Sequence, residues 1–132
     1  MHETDMTKAL ILTVQDWWKA QPENPHITHI HLIIGQFTCV EPASLQFAFE
    51  AQTQNTFLDG VKLVINETPL VAFCHFCQQE YQPEIGLHYA CPTCQSPMED
   101  IRSGRELKID RIEYYSACDV RFSPNAGQFK VG

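Results

Sequence analysis

Apolar residues recur every three to four positions near the start of the chain, as they do along one face of an α-helix. The spacing predicts a helix over residues 5–20, with Thr4 or Asp5 as its N-terminal cap and Pro22 beyond its end. The apolar face consists of Met6, Leu10, Thr13, Val14 and Trp17. We expect one ring of the Trp17-Trp18 pair to cover the core and the other to stay partly exposed.

The next apolar stretch, residues 27–34, is rich in β-branched residues and ends at Gly35, which predicts a β-strand. His29 and His31 fall on one face of this strand, because side chains two residues apart point to the same side. Two imidazoles so placed are suited to binding one metal ion together. Histidines also line partly exposed sheet faces without a ligand, and this second interpretation is the one we favour.

A second helix is predicted to begin at Glu41-Pro42, since proline is favoured in the first helical turn. Its apolar residues are Leu45, Phe47, Ala48 and Phe49. A turn at Asp59-Gly60 leads into a strand over residues 61–67, and alternating residues over 106–114 predict another strand. The order is therefore helix, strand, helix, strand, a cysteine-rich segment and a last strand.

The cysteine-rich segment contains two tight pairs, Cys74 with Cys77 and Cys91 with Cys94, separated by thirteen residues. Each pair lies on one turn, and the segment between the pairs is long enough to fold back. Four thiolates that converge in this way form the tetrahedral site that zinc prefers. With no open position, such a site is structural.

Other interpretations of these cysteines have less support from the sequence. Two disulfides need an oxidising compartment, and the N-terminus shows no apolar run that could serve as a signal peptide. A redox site usually has a single C-x-x-C. An iron–sulfur site remains an alternative, because cysteine spacing alone does not determine which metal binds. Cys39 is expected to be a small buried residue, and Cys118 is assigned no role.

Together these elements predict an α+β fold, a small sheet of about three strands with two helices, interrupted by an inserted four-cysteine zinc-ribbon module. Residues 1–69 plus 104–115 form the predicted α/β domain, and residues 70–103 form the module. Residues 116–132 contain Pro, Gly, Asn and Ser and predict an irregular C-terminal tail. A module on short connections can exchange between protomers, so a homodimer is left open.

The chain has 132 residues and a formal net charge of −7, with sixteen acidic and nine basic side chains. A nucleic-acid surface needs clustered Lys and Arg, whereas the basic residues here are dispersed or alternate with acidic ones. No segment is long and apolar enough to cross a bilayer. These features disfavour nucleic-acid and membrane partners and predict a cytoplasmic protein.

The chain begins Met1-His2-Glu3. Removal of an initiator methionine requires a small second residue, so His2 should leave Met1 in place with its free α-amine. The Met1 amine, the His2 backbone nitrogen and the His2 imidazole can then close adjacent five- and six-membered chelate rings. This nitrogen-rich, planar arrangement suits Ni(II) or Cu(II) better than zinc. The alternative is a frayed terminus without a ligand.

In combination, these features resemble the HypA/HybF family of nickel metallochaperones, which serve maturation of nickel–iron hydrogenase. The resemblance rests on Met1-His2-Glu3, residues 35–41, the two cysteine pairs and Arg111-Ile112-Glu113, over roughly residues 1–115 in the family's order. The family usually continues Met-His-Glu with Met-Ser-Leu or similar, whereas Thr4-Asp5-Met6 follows here.

The resemblance implies that His2 is the principal nickel ligand, assisted by the Met1 amine and by backbone nitrogens at His2 and Glu3. Glu41 matches an acidic residue near the nickel site, where capping of the second helix is its competing role. The structural zinc ligands match Cys74, Cys77, Cys91 and Cys94. The implied cofactors are one structural Zn(II) and one transferable Ni(II) per chain, with no catalytic residues.

By the same resemblance, the partners are a HypB-like GTPase and the hydrogenase large-subunit precursor. The alternative is a zinc-ribbon protein-interaction adaptor without nickel transfer, and a thiol redox enzyme is the third class. The charge distribution and the paired cysteine spacing favour the nickel chaperone.

Overall fold

A computed structural model describes the backbone of residues 3–22, 24–116 and 119–128, and the side chains of residues 5–22 and 24–115. The helices in these ranges are α1 (Glu3–Lys19) and α2 (Pro42–Thr53). The strands are β1 (His26–Gly35), β2 (Lys62–Thr68), β3 (Val71–Cys74), β4 (Gln79–Tyr81), β5 (Asp100–Ser103), β6 (Leu107–Ser116) and β7 (Asp119–Gln128). The predicted α+β class is confirmed.

These elements divide into two compact units. The first takes the described parts of Met1–Ile33, Val40–Asn66 and Leu107–Gly132, and the second takes Ile34–Cys39 and Glu67–Glu106. One sheet has the strand order β2-β1-β6-β7, and the second unit has its own three-stranded sheet in the order β4-β3-β5. The four paired cysteines lie in the second unit.

Helix α1 packs against α2 through its predicted apolar face. Met6, Leu10 and Val14, spaced one turn apart, are fully buried. The helix begins at Glu3, earlier than predicted, so Thr4 and Asp5 lie in its first turn instead of capping it. An acidic residue in the first turn is favourable there because it faces the positive end of the helix dipole.

Both tryptophans of the pair at the end of α1 are half-buried. The Trp17 ring meets Tyr114 edge-on at 5.2 Å, and the Trp18 ring stacks on Phe57 at 4.6 Å. The Trp18 indole N–H donates to the Pro25 carbonyl at 2.7 Å, which ties the end of the helix to the start of β1. Each ring therefore packs within the first unit.

Strand β7 occupies residues 119–128, within the segment 116–132 for which the sequence predicts an irregular tail. It pairs antiparallel with β6, which places a fourth strand beside the roughly three expected. Pro124 and Gly127 argued against a strand, but β7 is an edge strand and its register shifts between Ile109 and Arg111 of β6. Edge positions and bulges are where a sheet tolerates proline, since no ladder hydrogen bond is lost.

The second unit includes a piece of chain that the sequence places elsewhere. The Gly35 N–H donates to the Glu106 carbonyl at 2.7 Å, and the Phe37 N–H donates to the Gly104 carbonyl at 2.8 Å. Segment Ile34–Cys39 is therefore part of this unit, although it lies within the residues predicted for the nickel-binding domain. Sequence spacing carries no sign of this pairing, because the partners are far apart along the chain.

The described helices include none long and apolar enough to span a membrane.

We predict that Gly35→Ala destabilises the second unit severely. An ideal Cβ at Gly35 would lie 2.0 Å from the carbonyl carbon and oxygen of Gly104, and both are backbone atoms that cannot rotate away. Gly60→Ala is the control, because open space surrounds Gly60 and only its φ of +83° opposes a side chain, at a cost of about 1 kcal/mol. Denaturant unfolding and retained zinc measure both variants. Equal behaviour of the two variants would contradict the close approach.

Candidate metal centre

Four sulfur atoms converge in the second unit. The ligand atoms of Cys74, Cys77, Cys91 and Cys94 all lie within 4.8 Å of one another. The Cys74 and Cys94 sulfurs are 3.5 Å apart, and the Cys91 and Cys77 sulfurs are 3.9 Å apart. Thiolates bound tetrahedrally to zinc at about 2.3 Å lie about 3.8 Å from each other, so the spacing fits this ion.

The same backbone conformation builds both halves of the site. After the first pair, the Gln78 N–H donates to the Cys74 carbonyl at 2.8 Å, and after the second the Gln95 N–H donates to the Cys91 carbonyl at 2.8 Å. Gln78 and Gln95 both adopt a left-handed conformation, with φ of 57° and 63°. Each turn thus folds back after its second cysteine and aims both sulfurs inward. The predicted arrangement of one pair per turn is confirmed.

Local contacts give the sulfurs unequal proton affinities. The Ser96 hydroxyl lies 3.0 Å from the Cys94 sulfur and lowers the pKa of that thiol to about 6, because it stabilises the thiolate. The neighbouring Cys94 sulfur, together with burial, raises the pKa of Cys77 to about 12. Four adjacent thiolates repel one another, so a divalent cation at their centre is what allows all four to deprotonate.

A closed ring of contacts braces the first cysteine pair from outside. His75 lies between Cys74 and Cys77, and its Nε2 is 2.7 Å from the Asp100 Oδ2. The Arg102 guanidinium donates to the same oxygen at 2.9 Å and lies 4.4 Å from the centre of the Phe73 ring. The ring of Phe73 in turn meets His75 edge-on at 4.9 Å.

This ring joins β3 to β5, where Phe73 is directly opposite Asp100. Arg102 first, and then His75, lower the pKa of the Asp100 carboxyl. The stability that these contacts contribute is therefore present above the ordinary carboxyl range and is lost as the pH falls through the lowered pKa. Sequence reasoning missed Asp100 and Arg102, because contacts across a β-ladder have no fixed spacing along the chain.

The candidate nickel ligands are described only in part. Met1 and His2 lie outside the described residues, and Glu3 is described by its backbone alone, as the first residue of α1. Glu41 is exposed and occupies the N-cap position of α2. Its side chain makes no capping hydrogen bond, whereas its carbonyl accepts from the Leu45 N–H at 3.0 Å. Side-chain capping, the competing role for Glu41, is therefore absent in this structure.

Two further cysteines, Cys39 and Cys118, are not among these four sulfur ligands. Cys39 is exposed, so the prediction that it is buried is wrong. It adopts a left-handed conformation with φ of 58°, as the C-terminal cap of the short 3-10 helix Gln36–Thr38, and this turn directs it to the surface. Cys118 lies outside the described residues.

Comparison with known proteins extends this description. The family model for HypA, the metallochaperone of hydrogenase and urease nickel incorporation, matches residues 1–114. The chain is 73% identical over 115 residues to guanidine hydrolase-activating protein A of Synechocystis, which covers 87% of this chain and 96% of that protein. It is 67% identical over 127 residues to hydrogenase maturation factor HypA of Synechococcus, which covers 96% of each.

Solved structures give the same fold. The solution structure of the nickel metallochaperone HypA from Helicobacter pylori superposes with a TM-score of 0.55 at 20% identity, over 95% of this chain and 100% of that one. The family match over residues 1–114 and the identity to the curated relatives show that the chain belongs to the HypA family of nickel metallochaperones, which serves nickel incorporation into hydrogenase and urease. Its four cysteines fit the structural zinc of that family.

We predict that Asp100→Asn loosens zinc without abolishing its binding. The substitution removes the negative charge that His75 and Arg102 share, so the turn carrying Cys74 and Cys77 loses its external brace. Loss of groups that orient metal ligands typically weakens metal binding by 10- to 100-fold, and about tenfold or less is expected here because His75 is not itself a ligand. The rate of zinc transfer to a chromophoric chelator measures this.

Glu99→Gln is the matched control, since it removes one negative charge from the adjacent, exposed position. An equal acceleration of zinc transfer in both variants would mean that net charge, and not the ring of contacts, governs the rate.

Proposed function

We propose that this chain binds one Ni(II) ion at its N-terminus and delivers it to a nickel enzyme during that enzyme's maturation. The ligands proposed are the Met1 amine, the His2 imidazole and the backbone nitrogens of His2 and Glu3, with Glu41 supplying a carboxylate to the ion or to its neighbours. The observation that carries this proposal is the family match over residues 1–114, which includes the Met1-His2-Glu3 start.

The chemistry of the N-terminal residues supports a transferable ion. Adjacent chelate rings built from an amine, a backbone nitrogen and an imidazole favour Ni(II) in a planar field. Ligands on a chain terminus can leave one at a time, as the thiolates or carboxylates of a recipient replace them. Because the nitrogens must be deprotonated to bind, nickel affinity should fall as the pH drops through the imidazole and amine range.

Glu41 is a suitable carboxylate for this role. Its side chain is exposed and is not engaged as a cap of α2, so it can turn toward an ion without breaking a helix contact. Glu41 and the start of α1 lie in the same compact unit.

The zinc proposed for Cys74, Cys77, Cys91 and Cys94 is structural. When bound, it would cross-link the two turns and offset part of the negative charge of the thiolates, and four protein ligands would complete its coordination. We propose no catalytic turnover, because neither metal would activate a substrate in this arrangement. Free cysteines at the four positions suit a reducing compartment, so we place the protein in the cytoplasm.

The proposed partners are a HypB-like GTPase and the hydrogenase large-subunit precursor, and a homodimer is compatible with delivery. A second client is supported by a specific observation, the 73% identity to a guanidine hydrolase-activating protein. The hydrogenase factor of Synechococcus is slightly less identical but aligns with a larger share of the chain, 96% against 87%. We therefore propose hydrogenase as the first client and a guanidine hydrolase as the second.

We predict that the zinc-loaded protein with its native N-terminus binds one more nickel equivalent than the same protein extended by Gly-Ser before Met1. The extension turns the Met1 amine into an amide and thereby removes one ligand and one chelate ring. Equilibrium dialysis with metal analysis measures both metals, and zinc should be unchanged. Equal nickel binding by the two forms would exclude the terminal site, and no nickel in either would leave a zinc-ribbon interaction adaptor.

We predict that a metal-free hydrogenase large-subunit precursor acquires nickel faster from the loaded chain than from free nickel at the same concentration. A chelator is present in both assays. A metal-free guanidine hydrolase, assayed in parallel, tests the second client. Transfer to the hydrolase alone would reverse the order of clients proposed above. Transfer to neither protein would contradict the proposal that this chain delivers nickel by itself.

A further inference from the structure

A second group of side chains that are able to ligate a metal lies on the four-stranded sheet. The His29 Nδ1 is 2.8 Å from the Glu113 Oε2, and the His31 Nε2 is 3.3 Å from the Glu113 Oε1. The two histidines are on β1 and the glutamate is on the adjacent β6. All three belong to the first unit.

The burial of His31 is unusual for a side chain with this contact. Only 8% of His31 is exposed, and its Nε2 has no hydrogen-bond partner of good geometry among the described residues. We expected both histidines to lie on a partly exposed face, which holds for His29 at 38% side-chain exposure but not for His31. A buried imidazole nitrogen without a hydrogen bond is costly, and packing alone would favour an apolar residue at this position.

A divalent ion would satisfy this nitrogen. Two imidazoles and one carboxylate form a ligand set that Ni(II), Cu(II) and Zn(II) accept, with positions left open for water or another ligand. The two nitrogen–oxygen distances are those of ion pairs, so the three side chains face one another but are not yet arranged around one point. Because each imidazole faces a different carboxylate oxygen, binding requires the three side chains to rotate toward one point.

The Thr28 hydroxyl contacts both the backbone of Glu113 and the ring of His29. It donates to the backbone carbonyl of Glu113 at 3.2 Å and lies 3.1 Å from the His29 Nδ1. The contact ties the strand positions of His29 and Glu113 together while leaving the Glu113 carboxylate free of the hydroxyl. Because the hydroxyl meets the same His29 nitrogen that would bind the ion, this one contact has to break when the ion binds, whereas the contact with the Glu113 backbone can stay.

We propose that His29, His31 and Glu113 form a second, weaker binding site for a divalent transition ion, and that in this protein the ion is Ni(II). The identity of the ion rests on the proposed function, whereas the site itself rests on the geometry. Three ligands that must first rotate hold an ion less tightly than the four converged sulfurs. Such a site is suited to holding cargo briefly rather than to fixing structure.

The experiment uses the full, zinc-loaded chain extended by Gly-Ser before Met1, so that the terminal site is removed and only internal nickel binding remains. Nickel is added during NMR spectroscopy, and its paramagnetism should broaden resonances of residues beside the cluster, including Ile27 and Ile33. Equilibrium dialysis gives the affinity. We expect the double variant His29→Asn, His31→Leu to lower that affinity at least tenfold and to remove the broadening.

His26→Gln is the matched control, because His26 is an exposed histidine on the same strand but on its opposite face. It should leave nickel affinity unchanged. Glu113→Gln is the second variant, which keeps the size of the side chain and weakens nickel binding by removing the carboxylate, and it covers the case in which the double variant fails to fold.

Two results would overturn the inference: no nickel binding by the extended protein, or equal binding by the extended protein and its folded His29, His31 and Glu113 variants. The terminal site is tested separately, by the difference in bound nickel between the protein with its native N-terminus and the extended protein. The sheet site can therefore stand if the terminal site fails, and the reverse also holds.

Discussion

The second unit depends on one cation that offsets the mutual repulsion of four thiolates. Its strands are short, with four residues in β3, three in β4 and four in β5. Among its described residues, the buried apolar side chains besides the cysteines are those of Ile34, Leu70 and Ala72. So small a core cannot offset the entropy of ordering this much chain, and a bound metal supplies what the core lacks. Everything that fixes the sulfurs therefore also fixes the unit.

The two cysteine turns are alike in backbone but not in surroundings. The first is braced by the ring through His75, Asp100, Arg102 and Phe73, whereas the second is held by local contacts of Ser96. The first unit is organised differently, around an apolar core that includes Met6, Leu10, Ile30 and Phe49. One chain thus combines a unit stabilised by apolar burial with one stabilised by metal coordination.

Much of this could be predicted from the sequence where the signal is local. Helical spacing identified α1, β-branched composition identified β1, and the paired cysteines identified the metal centre. Strand β7 was missed because Pro124 and Gly127 oppose a strand locally, and only pairing with β6 overrides them. The exposure of Cys39 follows from the left-handed turn at its own position. The burial of His31 and the brace through Asp100 were missed for a reason related to that for β7. Each depends on a partner distant along the chain, which one sequence does not reveal.

The pairing of Gly35 and Phe37 with Gly104 and Glu106 bears on how such proteins diverge. A zinc ribbon that ran from one residue to another without interruption could be exchanged between relatives by a single recombination event. Here, removal of Glu67–Glu106 would leave Ile34–Cys39 behind, and the N–H groups of Gly35 and Phe37 would lose their acceptors, so the ribbon is inherited in two pieces. Homologous swaps, and chimaeras built in the laboratory, must carry both pieces together, which couples the evolution of β1 to that of the metal centre.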